Sequence, residues 1–243
     1  MCGRFVAVSS PQLLAERFGV QELAIDAREP DYNVTPRALV PVVRCRRRAE
    51  TEVRVLSLVR WGLVPSWAER VAIGDRFINV RAETISDKPA FARVFRRRRC
   101  IVPADAFYEW GSKRTDAPKQ MPRQPYLVCR RDREPLAFAG LWEIWRDPHV
   151  ADNDAPGAWV RSCAIITTKA NQLVGRVHDR MPVVLSEAGW ARWLDPATDD
   201  VTYLESLLVP APAAWFEMYP VSPRVNRAEN NDPELLQPVD RAV

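Results

Sequence analysis

The chain has 243 residues, 47% hydrophobic and 27% charged, which suits a globular protein with a sizeable core, built as one large domain or two small ones. It holds no run of 18 or more apolar residues and opens Met1-Cys2-Gly3-Arg4-Phe5 without the apolar stretch of a leader, which excludes a transmembrane helix and makes a cytoplasmic location the expectation. The net charge of +4 is uneven: residues 1–150 carry 27 Lys/Arg and 18 Asp/Glu, the remainder 8 and 13, so the first part suits a polyanion, although an excess of this size is usually only a solvated surface.

Taken in chain order, periodicity predicts strands at 3–8, 39–45, 52–60, 100–102, 106–110, 125–130, 136–144 and 159–167. The stretch from Val53 to Val59 alternates as a half-buried strand should, whereas Ala164-Ile165-Ile166-Thr167 has no polar alternation and suits a strand buried on both faces. Ser10-Pro11, followed by an amphipathic run and Gly19, predicts a capped helix. Further helices are expected over Asp87–Phe95, over Ser186–Leu194 and from about 198 to 208. The 21 prolines fall mostly between elements, and residues 113–124 and 147–158 read as surface loops. No repeat and no linker splits the chain. The expected fold class is therefore α+β, one domain over residues 2–240 with a curved, barrel-like, mostly antiparallel sheet and a few flanking helices.

The five cysteines, Cys2, Cys45, Cys100, Cys129 and Cys163, contain no Cys-x-x-Cys pair, and only His149 and His178 accompany them. Neither a disulfide framework nor a metal site is indicated, and the four internal cysteines read as small strand or core residues.

Several residues could carry chemistry. The small side chain of Cys2 should permit removal of Met1, leaving an α-amine and a thiol on one carbon, both nucleophilic near neutral pH. Such a 1,2-aminothiol attacks an aldehyde as an amine and closes a thiazolidine ring as a thiol; on the dipeptide alone, the plainer reading, that Cys2 is just the second codon, is the better one. Glu109 sits between Tyr108 and Trp110 on an expected strand, either desolvated and fit to move protons near pH 7, or exposed between two inward rings. His178 is a natural acid or base with Asp179 and Arg180 beside it, or a turn histidine with satisfied hydrogen bonds; His149 reads as incidental. Asn79 and Arg81 share one side of an extended segment and could hold a sugar or phosphate. Trp67 ends a Gly/Pro-bearing loop and could stack on a base, and the run Arg96–Arg99 could touch phosphate, although a core tryptophan and a solvated basic run are the commoner cases.

Taken together, Met1-Cys-Gly-Arg-Phe5, Tyr32-Asn-Val-Thr-Pro36, Trp61-Gly-Leu-Val-Pro65, Ile78-Asn-Val-Arg-Ala-Glu83, Phe107-Tyr-Glu-Trp110 and His178-Asp-Arg-Met-Pro182 closely resemble the SRAP family, the SOS-response-associated peptidase-like proteins that process abasic sites. The likeness runs from Cys2 to the Leu235–Val239 ending. It implies a barrel-like α+β fold with a basic channel for single-stranded DNA containing abasic sites. It also implies a covalent thiazolidine between Cys2, freed of Met1, and the ring-opened sugar. By the same resemblance Glu109 assists proton transfer, His178 opens the sugar, and Asn79 holds Cys2 or the sugar. Thr167 completes the pocket, and Arg4, Arg81 and the Pro36 and Trp67 loops grip the DNA. No cofactor is implied, a monomer is the simplest expectation, and a nucleoid association follows if the source is bacterial. Thr35 and the lengthened, acidic loop 147–158 depart from the pattern. The competing enzymatic reading is an N-terminal-nucleophile amidohydrolase of the glutamine amidotransferase type, which also starts Met-Cys-Gly but usually continues with an apolar residue where Arg4 stands.

Overall fold

The computed structural model describes residues 2–48, 51–111 and 123–240. In chain order the elements are β1 (Phe5–Ala7), α1 (Pro11–Phe18), β2 (Glu22–Ala24), β3 (Asp31–Val34), β4 (Leu39–Arg48), β5 (Thr51–Trp61), β6 (Asn79–Arg81), α2 (Pro89–Arg97), β7 (Arg99–Ala104), β8 (Ala106–Trp110), β9 (Pro125–Arg130), β10 (Leu136–Arg146), β11 (Trp159–Lys169), β12 (Arg180–Pro182), α3 (Glu187–Leu194), α4 (Val201–Ser206) and β13 (Phe216–Pro220). No helix among the described residues is long and apolar enough to cross a membrane.

Five strands close into a ring. β4 pairs antiparallel with β5 and β7, β7 with β10, and β10 with β11. A short parallel pairing, Ser162 with Arg60 and Cys163 with Trp61, then joins β11 back to β5. Closure leaves each of these strands an inner and an outer side. Val43, Leu56, Ile101, Leu141 and Ile166 point outward, into a core shared with helical residues such as Phe18, Phe95 and Trp193. Val42, Val59, Val102, Cys163 and Ile165 point inward. Gly140 is forced by this geometry: a Cβ there would meet Cys100 Sγ at 3.0 Å and the Ala164 carbonyl at 3.1 Å. A second sheet, in the order β13-β9-β8-β1-β3, contributes Phe5, Phe107 and Phe216 to the inner core. The α+β, barrel-like, mostly antiparallel architecture expected from the sequence is thus observed.

All eight expected strands form, several one to three residues longer than the periodicity marks. The unforeseen strands β2, β3, β6, β12 and β13 are short, and tertiary pairing defines them rather than alternation. α1 has the expected ends: Ser10 Oγ accepts from Leu13 N at 3.2 Å, and Gly19 adopts φ 59° beyond the last turn. α2 starts later than expected, because Pro89 takes its first turn. One reading is corrected. Arg99 of the basic run 96–99 is neither solvated nor free for phosphate. It is buried, and its guanidinium donates to the carbonyls of Phe95, Arg96, Trp193, Asp195 and Thr198, gathering the C-terminal ends of α2 and α3. Burial pulls its pKa down to about 10, and a cation in this position suits the orphan carbonyls of two helices.

Candidate active site at the amino terminus

The inner core positions the N-terminal segment. The Phe5 ring meets Trp61 and Phe138 edge-on, with centroids 5.0 and 6.1 Å apart. Tyr108 N donates to the Arg4 carbonyl at 3.0 Å. Arg4 Nη1 donates to Asn33 Oδ1 at 2.6 Å and to the Val225 carbonyl at 2.7 Å. The Asn33 amide in turn donates to the carbonyls of Arg227 and Asn230 at 3.0 and 2.8 Å. Arg4 and Asn33 therefore stitch the first strand to the C-terminal segment. Cys2, held just before that strand, is fully buried.

Asn79 stands against it. β6 runs parallel to β11, with Asn79 opposite Ile165, and Asn79 Nδ2 donates to the Cys2 carbonyl at 2.8 Å. Asn79 Oδ1 is buried and accepts no hydrogen bond among the described residues. Glu109 faces the same core. On β8, Ala106, Tyr108 and Trp110 pack on one side, so Phe107 and Glu109 point to the other, and Glu109 is only 2% exposed. The structure thereby decides between the two sequence readings: the carboxylate is inward and its aromatic neighbours face away. Burial, with Asp179 adding, pushes the Glu109 pKa up to about 7. Burial and the charge of Glu109 both push the Cys2 thiol far above its ordinary range.

His178 ends the loop between β11 and β12. Its Nδ1 accepts the backbone N–H of Arg180 at 3.0 Å and lies 3.1 Å from Asp179 Oδ1. Burial lowers its pKa, Asp179 opposing. A lowered pKa favours the neutral imidazole, and the Arg180 N–H on Nδ1 favours the tautomer with its proton on Nε2. Arg180 is braced by a two-pronged pair with Glu83, at 2.6 and 2.9 Å, and by the Thr167 carbonyl at 2.6 Å. Thr167 is fully buried behind it, its Oγ1 3.3 Å from Arg180 Nη2. A cleft of about 430 Å³ opens beside His178, lined by Trp110, Arg123, Arg176 and Asp179. A larger one, about 610 Å³ between Gly19, Arg54 and Asp195, lies between the β4–β5 hairpin and α3 and contains none of these groups.

The remaining expected residues are surface features. Trp67 is 61% exposed, Arg81 is exposed and Pro36 half-buried. Pro36 and Arg37 are the central residues of a turn closed by Ala38 N on the Thr35 carbonyl, and Arg37 holds φ 77°, strained for a residue with a side chain. Asp75 ties this turn to the Trp67 loop: it pairs with Arg37 at 2.9 Å and with Arg60. Gly62, at φ 122°, lets the two ends of the Trp67 loop touch, since a Cβ there would come within 3.0 Å of the Gly74 carbonyl.

The structure thus brings Cys2, Asn79 and Glu109 together, with the His178 loop alongside through Asp179. Arg4 and Thr167 are largely engaged in holding other groups. Arg180, expected as a residue that could orient His178, does so through its backbone N–H. Sequence reasoning missed Asn33, Asp75 and Glu83 as positioning residues; Asn33 and Glu83 lie inside the motifs quoted above, which was the available signal. Among the described residues, no cluster of three or more His, Cys, Asp or Glu could hold a metal.

Comparison with known proteins agrees over nearly the whole chain. The chain is similar to the abasic site processing protein YoqW of Bacillus subtilis, 39% identical over 98% of this chain and 99% of that protein. It is 32% identical to the abasic site processing protein HMCES of Rattus norvegicus, over 88% of this chain and 66% of the relative. Among solved structures, a Bacteroides thetaiotaomicron protein superposes with a TM-score of 0.82 at 23% identity, covering 98% of this chain and all of that one. A phage-related protein of Bordetella bronchiseptica superposes at 0.66 with 30% identity, covering 90% and 94%. With residues 1–228 matching the model of the SOS response associated peptidases, the chain belongs to the SRAP family.

Proposed function

We propose that residues 2–240 act as one unit that processes abasic sites in single-stranded DNA, through a covalent thiazolidine link to Cys2 once Met1 has been removed. The observation that carries this reading is the convergence on Cys2 of Asn79, on its carbonyl at 2.8 Å, and of Glu109, a buried carboxylate whose pKa lies near 7. The names of the relatives supply the substrate class.

The chemistry needs no cofactor. An abasic sugar in its ring-opened form presents an aldehyde. The Cys2 amine adds to it, and the resulting carbinolamine loses water to give an imine. The thiol then adds to the imine carbon; the C–S bond forms and the thiol proton ends on the ring nitrogen. A thiol this reluctant to ionise suits second place in that order, after the amine. Each step moves a proton, and a carboxyl half-protonated near pH 7 can give one to the departing hydroxyl and accept one from the thiol. His178, holding its proton on Nε2, is suited to donate to the sugar oxygen as the ring opens. Asn79 Oδ1 is a free acceptor for the Cys2 amine or a sugar hydroxyl. Arg4, Arg81, Pro36, Trp67 and Thr167 form or back the surface along which the strand lies. Removal of Met1, autocatalytic or not, gives the family's peptidase name a meaning here.

The deciding experiment is denaturing electrophoresis of the mature protein with single-stranded DNA holding one abasic site. A heat-stable band is expected for the wild type and none for Cys2→Ala or for a variant with an extra residue before Cys2. A crosslink formed normally by the extended variant would sink the thiazolidine mechanism. No band from the processed wild type, with ammonia released from glutamine, would favour the amidohydrolase.

A further inference from the structure

The end of the barrel away from Cys2 is built unlike the rest of its interior. Inward-pointing residues run apolar along each strand and then become basic. On β4, Val40 and Val42 lead to Arg44 and Arg46; on β11, Ile165 and Cys163 lead to Arg161. Trp142 of β10 lies opposite Cys163, and its N–H donates to the Arg98 carbonyl just before β7. Ser57 of β5, opposite Val42, completes the rim. All five strands of the ring, or the residues just before them, thus contribute to one mouth. Asn79, which holds Cys2, lies opposite Ile165, so Arg161 is four residues of β11 further on, about 13 Å from the Cys2 end.

Charge at this mouth is only partly compensated. Arg98 pairs with buried Glu143, and Arg46 with Glu22 at 2.7 Å. Among the described residues, Arg161 has no acidic partner within salt-bridge distance. Arg44 is 6% exposed and its guanidinium makes no hydrogen bond among the described residues; it rests 5.1 Å from the Trp142 ring centroid, and Arg98 lies 5.3 Å from the same ring. Arg44 Nε and the neighbouring Ser57 Oγ are buried with no hydrogen-bond partner. An isolated buried cation is costly unless something pairs with it. Burial and the neighbouring Arg161 and Arg46 all lower the Arg44 pKa, the mark of a cation crowded by like charge.

We propose that this mouth is a second anion site, taking a phosphate group on Arg44 and Arg161, with Ser57 Oγ as a further donor and Trp142 as the apolar wall. A planar guanidinium with unused N–H groups matches a phosphate's oxygens as few other groups do. The phosphate comes from a nucleic-acid backbone or from a free phosphate in solution, and the site is independent of the chemistry at Cys2.

The test uses the full chain and undamaged DNA, so it stands apart from the crosslinking reaction. Inorganic phosphate at about ten times its dissociation constant should raise the wild-type melting temperature by about 3–6 °C relative to chloride of equal ionic strength. Arg44→Gln and Arg161→Gln should each lose most of that rise. Arg161 is exposed, so its substitution keeps the test valid should Arg44→Gln disturb folding. The second arm measures the salt dependence of binding to an undamaged single strand long enough to reach both ends of the barrel. A slope reduced by about 0.7 in Arg161→Gln assigns the phosphate to DNA backbone; an unchanged slope with a lost phosphate response assigns it to a free anion. Equal phosphate responses in wild type and both variants would overturn the site.

Discussion

Asn79 Nδ2 donates to the Cys2 carbonyl at 2.8 Å while its own Oδ1, buried, receives no hydrogen bond among the described residues. The amide is thus pinned by one end and open at the other, beside the residue whose amine would be the nucleophile. Asn79→Asp should be worse than Asn79→Ala. The aspartate sets an oxygen against the Cys2 carbonyl, whereas alanine only removes the tether. Single-turnover crosslinking should fall about tenfold for alanine, the loss of one positioning bond, and further for aspartate. Equal rates for the two would mean that Asn79 does not orient Cys2.

Glu109 gives a pH signature. Its pKa is raised from an ordinary 4.5 to about 7 by burial, so the folded state binds its proton more tightly than the unfolded chain does. That contribution to stability is fully present below about pH 4.5 and is lost as pH rises to about 7, up to about 3 kcal/mol across the interval. Glu109→Gln cannot titrate there. The stability difference between wild type and Glu109→Gln, from urea unfolding at a series of pH values, should therefore move against the wild type over this range. The crosslinking rate of Glu109→Gln should be low and lack the wild-type inflection near pH 7.

Glu83 and Arg180 hold the backbone N–H that His178 Nδ1 accepts. The pair is partly exposed, and such pairs contribute at most about 1 kcal/mol. Glu83→Gln should slow crosslinking at saturating DNA by no more than about fivefold while leaving the melting temperature nearly unchanged. A larger loss would place Glu83 or Arg180 on the substrate itself.

The strands that build the barrel were legible because their alternation is strong, and five short ones were not, because neighbouring strands rather than side-chain pattern define them. Cys2, Asn79, Glu109 and His178 were legible as residue types capable of the chemistry. Which way Glu109 points was not, since a strand of alternating aromatic and polar residues reads the same from either face. Asn33 and Asp75 were invisible for another reason: their partners are 29 or more residues away in the first case and in a separate loop in the second. No local spacing encodes such contacts.

Trp67 stands out as a large ring left in solvent. With little to pack against, Trp67→Ala should change unfolding free energy by no more than about 0.5 kcal/mol. If the ring stacks on a base beside the lesion, affinity for single-stranded DNA should drop by about 1–3 kcal/mol, read by fluorescence anisotropy. Unchanged affinity would leave Trp67 without a DNA role.

Arg99 offers the opposite case, a charged residue that sequence reasoning placed in solvent and that the fold buries. Its guanidinium satisfies five carbonyls from α2, α3 and the turn that follows α3, and lies 5.8 Å from the Trp193 ring centroid. Replacing it removes donors from carbonyls that have few alternatives, which costs far more than an exposed charge would. Arg99→Met should destabilise the protein by about 3 kcal/mol in urea unfolding. Arg99→Lys, with a compact head unable to span all five acceptors, should fall between the two. Crosslinking by whatever fraction stays folded should be normal, because the residue supports the helices and not the Cys2 end. A wild-type unfolding midpoint for Arg99→Met would show that the helix ends satisfy their carbonyls without it.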